Sequence, residues 1–90
     1  MGMYREVRVW ERKSTGELIC YRCLEVLPHG GFCVQSADLF RPGDDMVERA
    51  RICSSQFVEL LGEEAPEARA MVKPTLQEAI EEHKQAFLGL

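Results

Sequence analysis

Residues 17–41 read ELICYRCLEVLPHGGFCVQSADLFR, and this stretch decides the fold. Two runs rich in aliphatic, aromatic and cysteine residues flank the turn sequence HGG, which predicts a β-hairpin with strands over 17–27 and 32–40. Pro28 cannot donate to a strand ladder, so it marks the end of the first run. The stretch also holds three of the four cysteines and the only spacing in the chain that resembles a motif.

A further strand is predicted before this hairpin. Residues 3–12, MYREVRVWER, alternate apolar and polar side chains and are enriched in β-branched and aromatic residues, a pattern typical of a strand. The sequence STG at positions 14–16 is a turn cluster, with a glycine available for a positive φ angle. Together the three segments predict an antiparallel β-meander.

Two helices are predicted after the sheet. Apolar residues recur at helical spacing from Met46 to the stop at Gly62, and one of the two aspartates just before Met46 serves as the N-cap. Thr75 forms a capping box with the glutamate three residues later and starts a second helix that ends near Gly89. The segment between the helices is predicted to be a loop with a short helical turn after Pro66.

Composition sets the class of protein. An apolar content of 46% and a charged content of 29% are globular values, and the length fits one domain over residues 1–90. The predicted fold class is α+β: a three-stranded antiparallel β-meander followed by two C-terminal α-helices (β-β-β-α-α), with a single layer of helices on one sheet face. We find no apolar run of membrane-spanning length, signal peptide or myristoylation signal, and therefore expect a cytoplasmic protein with reduced thiols.

Turn length predicts the strand register. Three-residue loops at both turns place Arg5 opposite Glu25 and Arg22 opposite Asp38, which are favourable charge pairs. The same register places Arg8 opposite Arg22, an unfavourable pair that Asp38 relieves from the other side.

This register also predicts an interaction surface. The odd-numbered face is apolar and suits cover by the helices, whereas the even-numbered face carries aromatic and arginine side chains. The interface residues that we predict on it are Tyr4, Trp10, Arg22, Phe32 and Phe40. Monomers rarely expose such patches, so we expect a homo-oligomer, a dimer, or a protein partner bound through this face. The alternative is that one helix crosses to this side, or that the register is off by one.

The cysteines raise a metal hypothesis. The segment Cys20-x2-Cys23-x5-His29-x3-Cys33 resembles a zinc knuckle, a family with C-x2-C-x4-H-x4-C spacing, and this resemblance implies a zinc held by three thiolates and one imidazole. Here Pro28 stands at the family's histidine position and His29 comes one place late. A strand over this segment also excludes the site, because Cys20 and Cys23 then point to opposite faces and Cys23 lies about four residues from Cys33 along the ladder. Three buried thiols without metal are the favoured interpretation.

Two other function classes are less favoured. Single-stranded nucleic acid could stack on the aromatic residues of the even face, but the net charge of −4 gives no basic footprint. A small domain without a visible catalytic constellation is predicted not to be an enzyme, and no cofactor is predicted. The sequence therefore predicts a protein-interaction module of unknown pathway, with the nucleic-acid and zinc modules as alternatives.

Overall fold

The computed structural model describes residues 2–88, with the backbone alone for residues 87 and 88. The chain forms β1 (Met3–Arg12), β2 (Leu18–Leu27), β3 (Phe32–Phe40), α1 (Met46–Glu63), α2 (Pro66–Arg69) and α3 (Leu76–His83), followed by a π-helical turn over Lys84–Leu88. The three strands make one antiparallel sheet in the order β1-β2-β3. The α+β class and the β-β-β-α-α order are confirmed, and α2 is the short helical turn predicted after Pro66.

Both long helices start at the predicted caps. Asp45 is the N-cap of α1, and its carboxylate accepts a 3.1 Å hydrogen bond from the backbone N–H of Glu48. Thr75 caps α3 in the same way by accepting from the N–H of Glu78 at 3.1 Å. These bonds satisfy N–H groups that the first helical turn leaves without a partner. The predicted end of the second helix near Gly89 lies outside the described residues.

The first hairpin has the predicted register. Arg5 lies opposite Glu25, and Arg8 lies opposite Arg22. The three-residue turn is closed by a 2.9 Å hydrogen bond from the Lys13 N–H to the Glu17 carbonyl.

The predicted register of the second hairpin is wrong. Val26 pairs with Gly31 rather than Val34: the Val26 N–H donates to the Gly31 carbonyl at 3.0 Å, and the Gly30 N–H donates to the Val26 carbonyl at 2.8 Å. Both glycines have positive φ angles, +84° at Gly30 and +91° at Gly31, which other residues rarely adopt. The turn therefore closes at Val26 and Gly31, whereas a three-residue loop at HGG would close at Pro28 and Phe32. Next to the turn, β3 is displaced by three residues along β2 relative to the prediction.

A β-bulge then shifts the register within β3. Cys23 pairs with Val34, whereas Arg22 pairs with Ser36, so Gln35 is the extra residue. One inserted residue reverses which side chains share a face. Near the turn, Cys33 thus joins the even-numbered side chains of β2, and the prediction that Phe32 shares a face with Trp10 is wrong.

Helices cover both faces of the sheet, so the predicted single layer on one face is wrong. On the odd face of β2, Tyr21 and Cys23 pack with Val34 against Ala79 of α3. On the even face, Leu24 and Cys33 pack against Phe57 of α1. The physical reason is the apolar content of the even face, which α1 removes from water as α3 does on the other side. This is the alternative in which one helix crosses the sheet.

Candidate interaction surface

Arg22 lies beneath α1 and is not an exposed interface residue. It is 3% exposed, and its guanidinium pairs with the Asp38 carboxylate at 3.1 Å and donates to the Ser54 hydroxyl at 3.0 Å. The guanidinium carbon also lies 5.5 Å from the centre of the Phe57 ring. A cation that is so paired, hydrogen-bonded and stacked belongs to the internal packing of the fold.

Phe40 and Phe32 are also held by this chain's own helices and loops. Phe40 is 4% exposed, with the Arg49 guanidinium 5.8 Å from its ring centre. Phe32 is half-buried on the α3 side, and its backbone pairs with Lys73 through hydrogen bonds of 2.7 and 2.8 Å. The prediction that these two rings share one open face is therefore wrong.

Trp10 and Tyr4 remain at the surface. Trp10 is 52% exposed, and its ring lies 5.5 Å from that of Phe40, centre to centre. Tyr4 is half-buried and donates from its hydroxyl to the Glu67 carboxylate of α2 at 2.6 Å. That hydrogen bond raises the pKa of Tyr4 above its ordinary value, because the phenol donates to a carboxylate. Both residues belong to β1 and lie on the same face of the sheet.

The outer side of β1, which we call the β1 edge, has no pairing partner among residues 2–88. In contrast, the Lys73 bridge and the packing of all three helices cover part of β3. No residue of β1 is buried, whereas β2 has five buried residues. The β1 edge is thus a ten-residue strand that is available for pairing.

The backbone direction along the β1 edge follows from the first hairpin. The N–H of Lys13 points to β2, where it donates to Glu17. Hydrogen bonding alternates along an antiparallel pair, so the odd-numbered residues of β1 bond to β2. The even-numbered residues therefore direct their N–H and C=O groups outward, and these residues are Tyr4, Glu6, Arg8, Trp10 and Arg12.

The charges on this edge have both signs. The Arg8 guanidinium pairs with the Glu6 carboxylate at 2.8 Å, and both side chains are exposed. This hydrogen bond raises the pKa of Arg8. It also relieves the repulsion from Arg22, the residue opposite Arg8, whose own charge is paired with Asp38. Because Arg8 and Arg22 are paired with carboxylates, the middle of this surface offers little to a phosphate backbone.

The predicted zinc ligands do not converge. Cys20 and Cys33 lie on the even face, Cys23 lies on the odd face, and His29 is exposed in the turn. The register places Cys33 opposite Leu24, nearer to Cys23 than we predicted, but on the other side of the sheet. Within residues 2–88, no three histidine, cysteine or acidic side chains are grouped so that they could hold a metal.

Burial also makes the thiols poor nucleophiles. All four cysteines are buried, and burial raises the pKa of Cys23 to about 12. Burial raises the pKa values of Cys20, Cys33 and Cys53 as well. At neutral pH these groups are protonated thiols, and the thiolate is the form that attacks or binds metal.

Our sequence interpretation missed the outward backbone of β1. A signal for it was present, because a β-meander with short turns always leaves its first strand at an edge. What the sequence did not supply was the position of α1, which decides that Arg22 and Phe40 are covered while Trp10 is exposed.

Comparison with protein-family models, curated proteins and solved structures found no match to this chain. In the part of the chain that the structure describes, no helix is both long enough and apolar enough to cross a membrane. The candidate surface is therefore argued from the structure of this chain alone.

Proposed function

We propose that this chain is a small cytoplasmic protein-interaction module that associates with a second copy of itself through the β1 edge. The observation that carries the proposal is the outer side of β1, which no strand within residues 2–88 pairs with at any point between Met3 and Arg12. An exposed row of backbone donors and acceptors is a template on which another strand can pair. The four unpaired thiols fit a reducing compartment.

The β1 edge carries few of the usual protections against pairing. Proteins shield exposed strands by making them short, by placing proline or charged side chains, especially lysine, on them, or by bending them with bulges. β1 has ten residues, contains neither proline nor lysine, and pairs with β2 without a register shift. Its charged side chains have both signs, so a strand of complementary charge can still pair with it. The other edge of the same sheet is partly closed by Lys73. One edge of the sheet is thus open while the opposite edge is partly closed, and this difference supports a role in binding for the open edge.

The side chains support a second copy as the partner. Charges of both signs alternate along β1, with Arg5, Glu6, Arg8, Glu11 and Arg12 interspersed among apolar residues. A partner of a single sign would meet repulsion at every second or third position. An antiparallel copy can place glutamate against arginine twice, because a two-fold axis repeats each contact.

Sedimentation velocity at micromolar concentration tests the proposal. We expect wild type to sediment as a dimer and Glu6→Pro as a folded monomer, because proline removes an N–H that points away from β2. Trp10→Glu should also shift the equilibrium toward monomer, since it places a charge on an exposed aromatic residue of the edge. Circular dichroism and thermal unfolding establish that each variant is folded.

The matched control is Val47→Glu. Val47 is 83% exposed on the first turn of α1, a helix that packs against β3 at the other side of the sheet, so this variant should remain a dimer. A wild-type protein that is monomeric throughout the micromolar range overturns the proposal. So does dimerisation of Glu6→Pro with the wild-type dissociation constant.

A further inference from the structure

We propose that the two copies pair β1 against β1 in one register, with Val7 on the two-fold axis, Glu6 facing the partner's Arg8 and Tyr4 facing the partner's Trp10. This inference rests on the proposed function and adds the geometry of the partner's strand. It follows from three constraints: the direction of the backbone groups, the symmetry of a strand pair, and the signs of the facing charges.

Backbone direction provides the first constraint. The even-numbered residues of β1 direct their N–H and C=O groups outward, as the Lys13–Glu17 hydrogen bond establishes. Two residues that exchange both hydrogen bonds across the new pair must therefore both be even-numbered. Facing residues also point their side chains to the same side of a sheet.

Symmetry provides the second constraint. A two-fold axis perpendicular to the sheet carries each side chain to the same face in the partner, so an even-numbered residue faces an even-numbered residue. The axis must then pass through a residue that faces itself. Near the middle of β1, the residues available for this position are Glu6, Val7, Arg8 and Val9.

Charge and strand overlap select among these four registers. An axis at Glu6 places two carboxylates opposite each other, and an axis at Arg8 places two guanidinium groups opposite each other; both arrangements are unfavourable across strands. An axis at Val7 places an apolar pair at the centre and an opposite-charge pair on either side of it. An axis at Val9 leaves only residues 6–12 of β1 facing the partner's strand, against residues 3–11 for an axis at Val7, and axes farther along the strand shorten the overlap further.

The Val7 register also fits the contacts within one chain. Glu6 and Arg8 already form a 2.8 Å ion pair, so the two copies would bring two such pairs together as a ring of alternating charge. Tyr4, fixed by its hydrogen bond to Glu67, faces the partner's Trp10, which is 52% exposed in one chain. Facing aromatic residues are a favourable cross-strand combination. The product is a continuous six-stranded sheet with about eight new backbone hydrogen bonds.

The test is a charge exchange between Glu6 and Arg8. In this register, Glu6→Arg alone sets arginine against arginine and Arg8→Glu alone sets glutamate against glutamate, so each variant should dimerise about tenfold more weakly than wild type. An equimolar mixture of the two variants restores both attractive contacts and should form a heterodimer with the wild-type dissociation constant. The double variant Glu6→Arg, Arg8→Glu should form a homodimer of wild-type affinity.

The measurements are sedimentation velocity for affinity and native mass spectrometry, with one variant isotopically labelled, for heterodimer composition. If wild type is a dimer but neither the mixture nor the double variant regains the wild-type affinity, the register is overturned and self-association is not. Single variants that dimerise as tightly as wild type overturn the register as well. A monomeric wild type overturns both proposals. If one single variant does not fold, the dimer affinity of the double variant still tests the register, because only this register restores both opposite-charge contacts.

Discussion

At the scale of single residues, Arg22 shows how a long side chain can reach its partner when the predicted register is wrong. The sequence predicted Arg22 opposite Asp38, but Arg22 lies opposite Ser36. Asp38 is two residues farther along β3 on the same face, and the guanidinium reaches it diagonally at 3.1 Å. Attraction between opposite charges on a shared face could therefore be predicted, whereas the cover supplied by Ser54 and Phe57 could not, because it depends on where α1 lies.

Arg22→Met should lower the free energy of unfolding by about 3 kcal/mol or more, because it leaves the Asp38 carboxylate, 14% exposed, without its cation. Chemical denaturation monitored by circular dichroism measures this change. The control is Arg51→Met, which removes an ion pair with Glu48 in which both side chains are at least half exposed, and which should have a much smaller effect because water screens such a pair. Equal effects of the two substitutions would contradict a structural role for the buried pair.

At the scale of elements, the two hairpins differ in how much their sequences reveal. The STG turn closes as a three-residue loop with one positive-φ glycine, Gly16 at +89°, and its register was predicted correctly. The PHGG turn offers two glycines, and both adopt positive φ. No local pattern indicates which pair closes such a turn. The bulge at Gln35 adds a second shift. The Gln35 amide donates to the Phe57 carbonyl of α1 at 3.2 Å, a tertiary contact that the sequence pattern does not predict.

Gly30 and Gly31 form a matched pair for testing this turn. Alanine at either position adopts a positive φ, which costs about 1–2 kcal/mol. At Gly31 a Cβ atom would also lie 2.7 Å from a methyl carbon of Val72, whereas nothing lies within 4 Å of a Cβ atom at Gly30. We expect Gly31→Ala to lower the free energy of unfolding more than Gly30→Ala does, because it also displaces the segment whose Lys73 closes the β3 edge.

Denaturant unfolding of both variants measures this difference in the free energy of unfolding. The amide exchange rates of Phe32 and Lys73 report on the backbone bridge between these two residues. Faster exchange in Gly31→Ala alone is the expected result. Two variants with equal stability and equal exchange at these amides would contradict the close contact between the turn and the loop before α3.

At the scale of the whole molecule, the covered faces and the open edge have a common origin. All three helices pack against β3, so apolar groups near that side are buried, while the outer backbone edge of β1 remains unpaired within residues 2–88. From the sequence we predicted that the apolar residues on both faces are buried, but we expected a partner to bury those of the even face. The chain supplies this cover itself through α1, and the surface that remains for a partner is the strand edge with Trp10 and Tyr4.

Amide hydrogen exchange along β1, measured by NMR as protein concentration rises, tests self-association through this edge most directly. The amides of the odd-numbered residues Arg5, Val7 and Val9 bond to β2 and should be protected at every concentration. We predict that the amides of the even-numbered residues Glu6 and Arg8 exchange rapidly in dilute solution and become protected as dimers form. Rapid exchange of these two amides at concentrations where the protein sediments as a dimer, or in a protein that never dimerises, would contradict pairing through the β1 edge.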